Sequence, residues 1–216
     1  MKILAIRGSN IASLAGAFEV DFERPPLSGA GLFAITGPTG AGKSTLLDVL
    51  CLALFGKTPR VSEAGALKVP VTGGGADGQA ITAQDPRNLL RRGAAEGSAE
   101  AEFVGVDGRR YRARWEVRRA RGKATGNFQK ASWTLWRTDG SEETPIADGT
   151  TEVEEQVGMA LGLTFEQFRK AVLLAQGDFA AFLRAKEKER AELLEKITGA
   201  EIYTAVSRKA WERGQE

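Results

Sequence analysis

Gly37-Pro38-Thr39-Gly40-Ala41-Gly42-Lys43-Ser44-Thr45 is the stretch that decides the fold of this 216-residue chain. It fits the phosphate-binding pattern G-x-x-x-x-G-K-[ST]. Glycines let the backbone wrap around an anion, and the N–H groups at a helix N-terminus point towards it. In this pattern Lys43 reaches the β- and γ-phosphates, and the hydroxyl of Ser44 binds Mg²⁺. The stretch therefore predicts a site for ATP and Mg²⁺.

Both flanks of this phosphate loop have the expected character. Residues 31–35 form a short apolar run, which predicts a buried strand. Residues 45–55 predict a mostly buried helix that Gly56 ends. Strand, glycine loop and helix follow in the order that phosphate binding requires, which disfavours a glycine-rich turn that matches by chance.

The composition narrows the class of protein. Hydrophobic residues make up 42% and charged residues 27%, as in a soluble protein with a real core. No apolar run approaches the ~20 residues of a membrane span, and the first residues lack a signal-peptide pattern, so we expect a cytoplasmic protein. Cys51 is the only cysteine and is expected to serve packing in a reducing compartment. The chain has no histidine, which excludes histidine metal ligands and histidine general bases.

Before the phosphate loop, two further strands are predicted. Residues 2–7, with an apolar run at 3–6, predict a first strand, and residues 17–22 alternate apolar and acidic side chains. The turn-rich residues 8–16 connect them. Two early strands and a third before the loop predict a mixed sheet with antiparallel pieces in an α/β protein. Residues 57–93 include a glycine cluster and predict a flexible loop or insertion.

A basic antiparallel region is predicted over residues 101–136. Residues 111–118 alternate apolar and charged side chains, and residues 122–127 are typical of a hairpin tip. Residues 101–135 carry nine basic and three acidic side chains. This surplus indicates either a solvated outer face or contacts to the phosphate backbone of DNA, and both interpretations stay open. The candidate DNA contacts are Arg112, Arg114, Arg118, Arg121 and Lys123.

The C-terminal part predicts helices, together with half of an active site. Capping boxes at residues 151–154 and 164–167 predict two helix starts, the first helix ending before Gly162. Residues 171–175 are a strand candidate, and helical stretches follow. No run of four apolar residues precedes an Asp-Glu pair, so the second carboxylate of many phosphate-loop enzymes is missing. The nearest approach, Asp107-Gly108, is better explained as a hairpin turn.

Three stretches resemble one known family. The residues 37–48, the segment Gln176-Gly177-Asp178-Phe179-Ala180-Ala181-Phe182-Leu183, and residues 189–203 are similar to SbcC, the ATPase subunits of SbcCD nucleases. The start of the chain also fits, and together the similar residues extend from 1 to about 205. The resemblance implies the N-terminal lobe of a split ABC-type ATPase head, a phosphate-loop fold related to the chromosome-maintenance ATPases.

The resemblance also implies roles for particular residues. Lys43 and Gln176 would be catalytic, with Gln176 as the Q-loop glutamine that, with Ser44, contacts Mg²⁺. Residues 37–45 would hold the nucleotide, and Ser13 and the Leu90-Arg91-Arg92 segment would approach it, with Arg92 as the candidate contact, whereas Ala12 supplies no side-chain contact. The lobe would span residues 1–199, with the Q-loop region at 171–183, and residues 200–216 would begin a coiled coil.

The resemblance further implies partners and an activity. Two heads, each completed by a C-terminal lobe, would enclose ATP between them and control an SbcD-type metal-dependent nuclease on double-stranded DNA, in the cytoplasm at the nucleoid. Two other functions stay open. One is a structural chromosome-organising head without a nuclease partner, and the other is a self-contained phosphate-loop phosphotransferase.

Overall fold

A computed structural model describes residues 1–62, 68–70, 80–140 and 142–173, together with 211 and 213. The chain divides into two compact units, Met1–Gly162 and Leu163–Glu216. Within the described residues, no helix is long and apolar enough to cross a membrane.

The first unit is built on one six-stranded sheet that is antiparallel throughout. Its spatial order is β2-β1-β5-β6-β7-β8. The strands are β1 Lys2–Ile11, β2 Leu14–Asp21, β5 Glu96–Val104, β6 Arg110–Arg118, β7 Ser132–Asp139 and β8 Glu142–Asp148. Two short strands, β3 Lys68–Pro70 and β4 Ala80–Thr82, pair separately. The predicted antiparallel region is confirmed, but the described residues contain no parallel strand pair, so the mixed sheet is not observed among them.

Helix α1, Lys43–Phe55, covers one face of this sheet over β1, β5 and β6. The predicted helix and its end are confirmed, since Gly56 has φ 61° and donates its N–H to the carbonyl of Leu52. The indole N–H of Trp133, on β7, donates to the carbonyl of Ala53 at 2.8 Å and so satisfies an acceptor of the last turn. Cys51 is fully buried in this helix, and burial raises the pKa of its thiol to about 12, as expected of a packing residue.

The predicted hairpins are confirmed. Tyr111, Ala113, Trp115 and Val117 on β6 are all buried, and β6 pairs with β7 across the expected tip. Asp107-Gly108 forms the β5–β6 turn, where Gly108 has φ 77° and the Asp107 carboxylate accepts from the N–H of Arg109. Tyr111 donates to the same carboxylate and lowers its pKa.

The connection between the first two strands is tighter than predicted. Residues 8–16 were expected to be a turn-rich link, but β1 and β2 extend into them and leave a turn at Ala12-Ser13. Asn10 and Ala12 reach φ 51° and 47°, which lets the chain reverse without a glycine at those positions.

The strand predicted over residues 31–35 is not formed. This segment is irregular, and the side chains of Leu32, Phe33 and Ile35 are exposed, Leu32 by 93%. An apolar run becomes a strand only when neighbouring strands accept its hydrogen bonds, and no described strand lies beside this one. The Phe33 ring is 5.6 Å from that of Phe22.

Beyond α1, the described residues form three further α-helices. They are α2 Pro59–Ser62, α3 Thr150–Leu161 and α4 Phe165–Phe168. Helix α3 is confirmed, but its capping box is wrong, because Gly149 is the N-cap and the helix begins one residue before Thr151. The capping box of Thr164 and Gln167 is confirmed.

Residues 171–173 are not a strand. They belong to a π-helical turn, Arg169–Leu173, that continues from α4. A short apolar run fits a buried helix as well as a strand, and the capped start at Thr164 favours helix propagation. The predicted Q-loop segment from residue 174 onwards, including Gln176, and the predicted coiled coil lie outside the described residues, apart from 211 and 213.

Candidate nucleotide-binding site

The phosphate loop lies at the N-terminus of α1. Gly42 is the N-cap with φ 96°, and Gly37 and Gly40 also have positive φ, at 152° and 84°. Glycine adopts these angles without steric cost, which explains the two fixed glycines of the motif, Gly37 and Gly42, and suits the further glycine at position 40. A Cβ on Gly40 would meet nothing within 4 Å, so at this position the positive φ, and not crowding, favours glycine.

Lys43 folds over this loop. Its Nζ donates to the carbonyls of Gly37 and Pro38 at 2.7 and 2.9 Å. These contacts hold the ammonium group above the loop, and the dipole of α1 adds positive potential at the same end. The Ser44 side chain is exposed at the first turn of the helix. A triphosphate and Mg²⁺ fit this arrangement, because the loop offers N–H groups, one cation and a free-standing hydroxyl on one side.

The turn between β1 and β2 packs against the phosphate loop and the first turn of α1. Ser13 Oγ and Thr45 Oγ1 are 3.0 Å apart, and Thr45 is only 2% exposed. A Cβ on Gly42 would lie 2.5 Å from Leu14 Cδ2 and 3.2 Å from Ser13 Oγ. Gly42 is therefore required both for its φ and for the close approach of this turn.

Ser13 thus contacts the phosphate loop itself, while Arg92 lies just after the segment that pairs with the same turn. The nucleotide contacts of both residues remain predictions, as does the role of Gln176. Leu14 was missed at the sequence level. Its contact with Gly42 depends on the turn geometry, for which the local sequence gives no signal.

Asp48 and Arg60 form an ion pair on the side of α1. The Asp48 carboxylate is 8% exposed, and Arg60 Nη2 lies 2.6 Å from its Oδ2. Burial raises the pKa of Asp48, and the positive charge of Arg60 opposes that rise. The pair fastens the segment after α1 to the helix.

The predicted DNA-binding arginines Arg112 and Arg114 of β6 belong to a different cluster, on the sheet face opposite α1. We call it the ion-pair ladder: four arginines and six glutamates, with a net charge of −2, joined by contacts of at most 3.2 Å. Its members are Arg7, Arg110, Arg112, Arg114, Glu19, Glu23, Glu100, Glu102, Glu116 and Glu143.

Glu100 is the centre of the ladder. Its carboxylate is 8% exposed and contacts Arg7, Arg112 and Arg114 at 3.1 to 3.2 Å. Burial lowers the pKa of these arginines, but their contacts to the glutamates of the ladder, Glu19, Glu143 and Glu116 as well as Glu100, raise it overall. Arg112 also stacks over the ring of Trp136 at 4.1 Å. Much of the positive charge on β6 is therefore neutralised within the sheet.

The remaining basic candidates lie towards the hairpin tip. Arg118 is 62% exposed and 3.8 Å from the exposed Glu96, a weak contact. Arg121 and Lys123 are exposed in the tip, and within the described residues no carboxylate pairs with either. The structure thus separates the five candidates into two groups, neutralised on β6 and exposed near the tip.

The family model described as "AAA domain" matches residues 5–212. The chain is 54% identical to the SbcC protein of the SbcCD nuclease of Pseudomonas aeruginosa over all of its length, and 32% identical to the SbcC protein of Bacillus subtilis over 94%. It is 29% identical over 84% of its length to "DNA double-strand break repair Rad50 ATPase" of Methanopyrus kandleri. The chain spans only 16 to 18% of these three relatives.

A solved structure from work on the ATP-driven dimerisation and DNA-stimulated activation of SMC ATPases shares the fold. It superposes with a TM-score of 0.53 at 16% identity, covering 91% of this chain and 99% of the other. The predicted fold class, a phosphate-loop ATPase head with an antiparallel region, is thereby confirmed.

Proposed function

The chain belongs to the AAA domain family and is the counterpart of the N-terminal ATPase region of SbcC, and from this premise we propose that it is the ATP-binding half of a DNA-repair ATPase that controls a partner nuclease. One observation carries the proposal: a glycine loop with three positive φ angles at the N-terminus of α1, with the Lys43 ammonium group held above it. This geometry suits the phosphate groups of a nucleotide.

Residues 37–45 hold the triphosphate in this proposal. The loop N–H groups bind the phosphate oxygens, Lys43 neutralises charge between the β- and γ-phosphates, and the Ser44 hydroxyl contributes to Mg²⁺ binding. Mg²⁺ supplies charge neutralisation on the phosphates when it is bound. Ser13 and Arg92 approach from the β1–β2 turn and its neighbouring segment. Gln176 would complete the metal contacts and is the catalytic glutamine of the proposal.

A second wall of the site comes from elsewhere. The exposed apolar side chains of Leu32, Phe33 and Ile35 directly precede the phosphate loop. Apolar groups so close to a binding loop favour burial under a further protein layer. The chain spans 17% of the Pseudomonas aeruginosa relative, which leaves ample sequence for a C-terminal lobe. We therefore propose that the lobe covers this segment and that two such heads enclose ATP between them.

Closure of the two heads would be the switching step. Contacts to the γ-phosphate exist only in the closed state, so ATP favours closure and hydrolysis reopens the heads. The opening motion would control a metal-dependent nuclease of the SbcD type, because relatives at 54% and 55% identity are named as parts of the SbcCD nuclease. The chain has no histidine, so the cutting chemistry is assigned to that partner.

Double-stranded DNA is the proposed substrate of the complex. The arginines of the ion-pair ladder are neutralised by neighbouring glutamates, whereas Arg118, Arg121 and Lys123 remain available near the hairpin tip. Contacts from the tip to phosphates would add affinity without reading the base sequence.

ATP binding and turnover, measured with and without the C-terminal lobe, test the proposal. We expect the chain alone to bind ATP in the presence of Mg²⁺ and to hydrolyse it very slowly, and we expect turnover to rise when the lobe and DNA are added. Robust turnover by the chain alone would contradict the proposal and favour a self-contained phosphotransferase. ATP-dependent head pairing without capture of a metal-dependent nuclease would instead favour a chromosome-organising head.

A further inference from the structure

The β1–β2 turn is strained and needs to be held in place. Asn10 and Ala12 both have positive φ, and the register of β1 against β2 shifts between Ser9 and Ile11. Left-handed angles at residues other than glycine cost about 1–3 kcal/mol each, so they persist only where surrounding contacts fix them. Asn10 supplies two such contacts with its side chain, accepting from the N–H of Gly16 and donating to the carbonyl of Glu96.

The segment containing Arg91 supplies the others. The backbone N–H of Arg91 donates to the Asn10 carbonyl at 2.9 Å, and the N–H of Ala12 donates to the Leu89 carbonyl at 2.7 Å. The Arg91 side chain then reaches further along the turn, where Nη1 donates to the carbonyls of Ala12 and Ser13 at 3.2 and 2.8 Å. One guanidinium group thus bridges the two residues at the reversal of the chain.

Arg91 acts on the phosphate loop through one intermediate residue. The carbonyl of Ser13 accepts from Arg91, and the hydroxyl of the same residue is 3.0 Å from Thr45 Oγ1, in the first turn of α1. Leu14, the next residue, closes against Gly42 so tightly that a Cβ there would lie 2.5 Å away. A displacement of the turn therefore displaces the N-cap and the first turn of the helix that faces the phosphates.

The charge of Arg91 strengthens the case. Among the described residues, no carboxylate forms an ion pair with it, and its guanidinium donates to the two turn carbonyls. Hydrogen bonds from a charged donor are about twice as strong as neutral ones, so these two bonds hold the turn more firmly than a neutral donor would.

We propose that Arg91 is a positioning residue for nucleotide binding, which holds the β1–β2 turn so that Ser13 and Leu14 fix the helix N-terminus under the phosphate loop. The inference rests on the proposed function, since it assumes that the loop binds ATP. Arg91 is not itself placed against the nucleotide, and its effect passes through Ser13.

The test uses the full-length protein that carries this chain, with ATP and Mg²⁺ as the probe. We expect Arg91→Met to weaken ATP binding about tenfold while Tm changes little, and Arg91→Lys to recover part of the affinity because an ammonium group still donates to the carbonyls. Arg109→Met is the matched control, since Arg109 is 60% exposed and lies in the β5–β6 turn, away from these contacts, and it should bind ATP as the parent does.

A double-mutant cycle identifies the route. If Arg91 acts through Ser13, then Ser13→Ala weakens binding, and the double variant loses much less than the two single losses combined. Hydrogen exchange of the Ala12 and Gly16 amides, both hydrogen-bonded in the turn, should accelerate in Arg91→Met. Unchanged ATP affinity in Arg91→Met, additive effects in the cycle, or affinity that falls only in step with Tm would each overturn the inference.

Lys43→Ala separates this inference from the proposed function. If Lys43→Ala weakens ATP binding and Arg91→Met does not, only the positioning role fails. If neither variant changes binding, the phosphate-loop assignment fails as well. Should Arg91→Met not fold, Arg91→Gln takes its place, because its shorter, neutral side chain cannot reach both carbonyls as Nη1 does, and parent-like affinity with parent-like exchange would overturn the role.

Discussion

The phosphate loop and the ion-pair ladder use charge in different ways. The loop is assembled from backbone groups and three glycines within nine consecutive residues, with one lysine above them. The ladder is assembled from side chains of five strands, and Glu100 meets Arg7 across a separation of 93 residues. A binding site made of backbone can be recognised from a short motif, whereas the charge of a surface depends on which strands pair.

The loop is the place where one substitution should have the largest effect. Lys43→Ala removes a cation and its charge-assisted hydrogen bonds to the phosphates, so ATP affinity should fall on the order of 100-fold, or about 2.7 kcal/mol. Titration with a fluorescent ATP analogue and Mg²⁺ measures this. Tm should stay near the parent value, since Lys43 contacts only loop carbonyls. If Lys43→Ala bound ATP as tightly as the parent, the loop would be no better a nucleotide site than the ladder.

The ladder should respond in stability and leave ATP affinity unchanged. Glu100→Ala leaves three arginines without their shared partner, and we expect a loss of about 2 kcal/mol in the free energy of unfolding, less than for a fully buried pair because the arginines are 19 to 39% exposed. Urea unfolding measures the loss.

Glu96→Ala is the matched control for the ladder. Glu96 is 69% exposed and 3.8 Å from Arg118, so its loss should cost less than about 0.5 kcal/mol. Equal costs at the two glutamates would show that the ladder has no centre. A change in ATP affinity with Glu100→Ala would show that the two regions are not independent.

The Asp48–Arg60 pair is an intermediate case between the loop and the ladder, because it combines a buried carboxylate with an exposed arginine. Burial raises the pKa of Asp48, so the folded state binds the proton more tightly than the unfolded state, and the group's contribution to stability falls as pH rises through the folded pKa. Arg60→Ala should raise that pKa further and cost about 1 kcal/mol at neutral pH.

The cost of Arg60→Ala should depend on pH, and the direction of that dependence tests the assignment. The cost of Arg60→Ala should shrink towards pH ~4, where the Asp48 carboxyl is increasingly protonated in both states. When Asp48→Asn is also present, the cost of Arg60→Ala should no longer depend on pH. Thermal unfolding over this range measures both effects, and a cost that grows on acidification would contradict the assignment.

DNA binding should show the smallest effect, and it distinguishes the hairpin tip from the ladder. Charge reversal at Arg121 and Lys123 should weaken DNA binding and reduce the slope of log affinity against log salt by about one for each lost phosphate contact. Reversal at Arg112 and Arg114 should alter the slope less, because glutamates already neutralise them. Equal slopes for both pairs would show that the basic residues form a single solvated face and that the hairpin tip does not differ from the ladder.

The local parts of the fold could be predicted from the sequence. Helix α1 and the β6–β7 hairpin follow from apolar spacing and glycine positions, and the Thr164 capping box from its four-residue pattern. The strand at residues 31–35 could not be predicted correctly, because an apolar run records that a segment avoids water and not which strand lies beside it.

The candidate site was predictable in the same uneven way. The motif identified residues 37–45, but the support of Gly42 by Leu14 and the bridge from Arg91 to the turn depend on a chain reversal with positive φ at Asn10 and Ala12. Asparagine is among the residues that adopt positive φ most readily, but alanine at position 12 does not indicate that angle. Residues 101–135 do carry a surplus of basic side chains. Whether that surplus leaves a positive surface depends on glutamates of β2 and β8 and on one just after β2, which lie outside this stretch of sequence.

Helix α1 is fastened at both ends: Ser13 holds Thr45 near its start, and the indole of Trp133 holds the Ala53 carbonyl near its finish. Its 13 residues at 1.5 Å each make a stiff rod of about 20 Å between these two anchors. The helix thereby connects the phosphate loop to β7, the strand that returns from the basic hairpin tip and lies next to the edge strand β8.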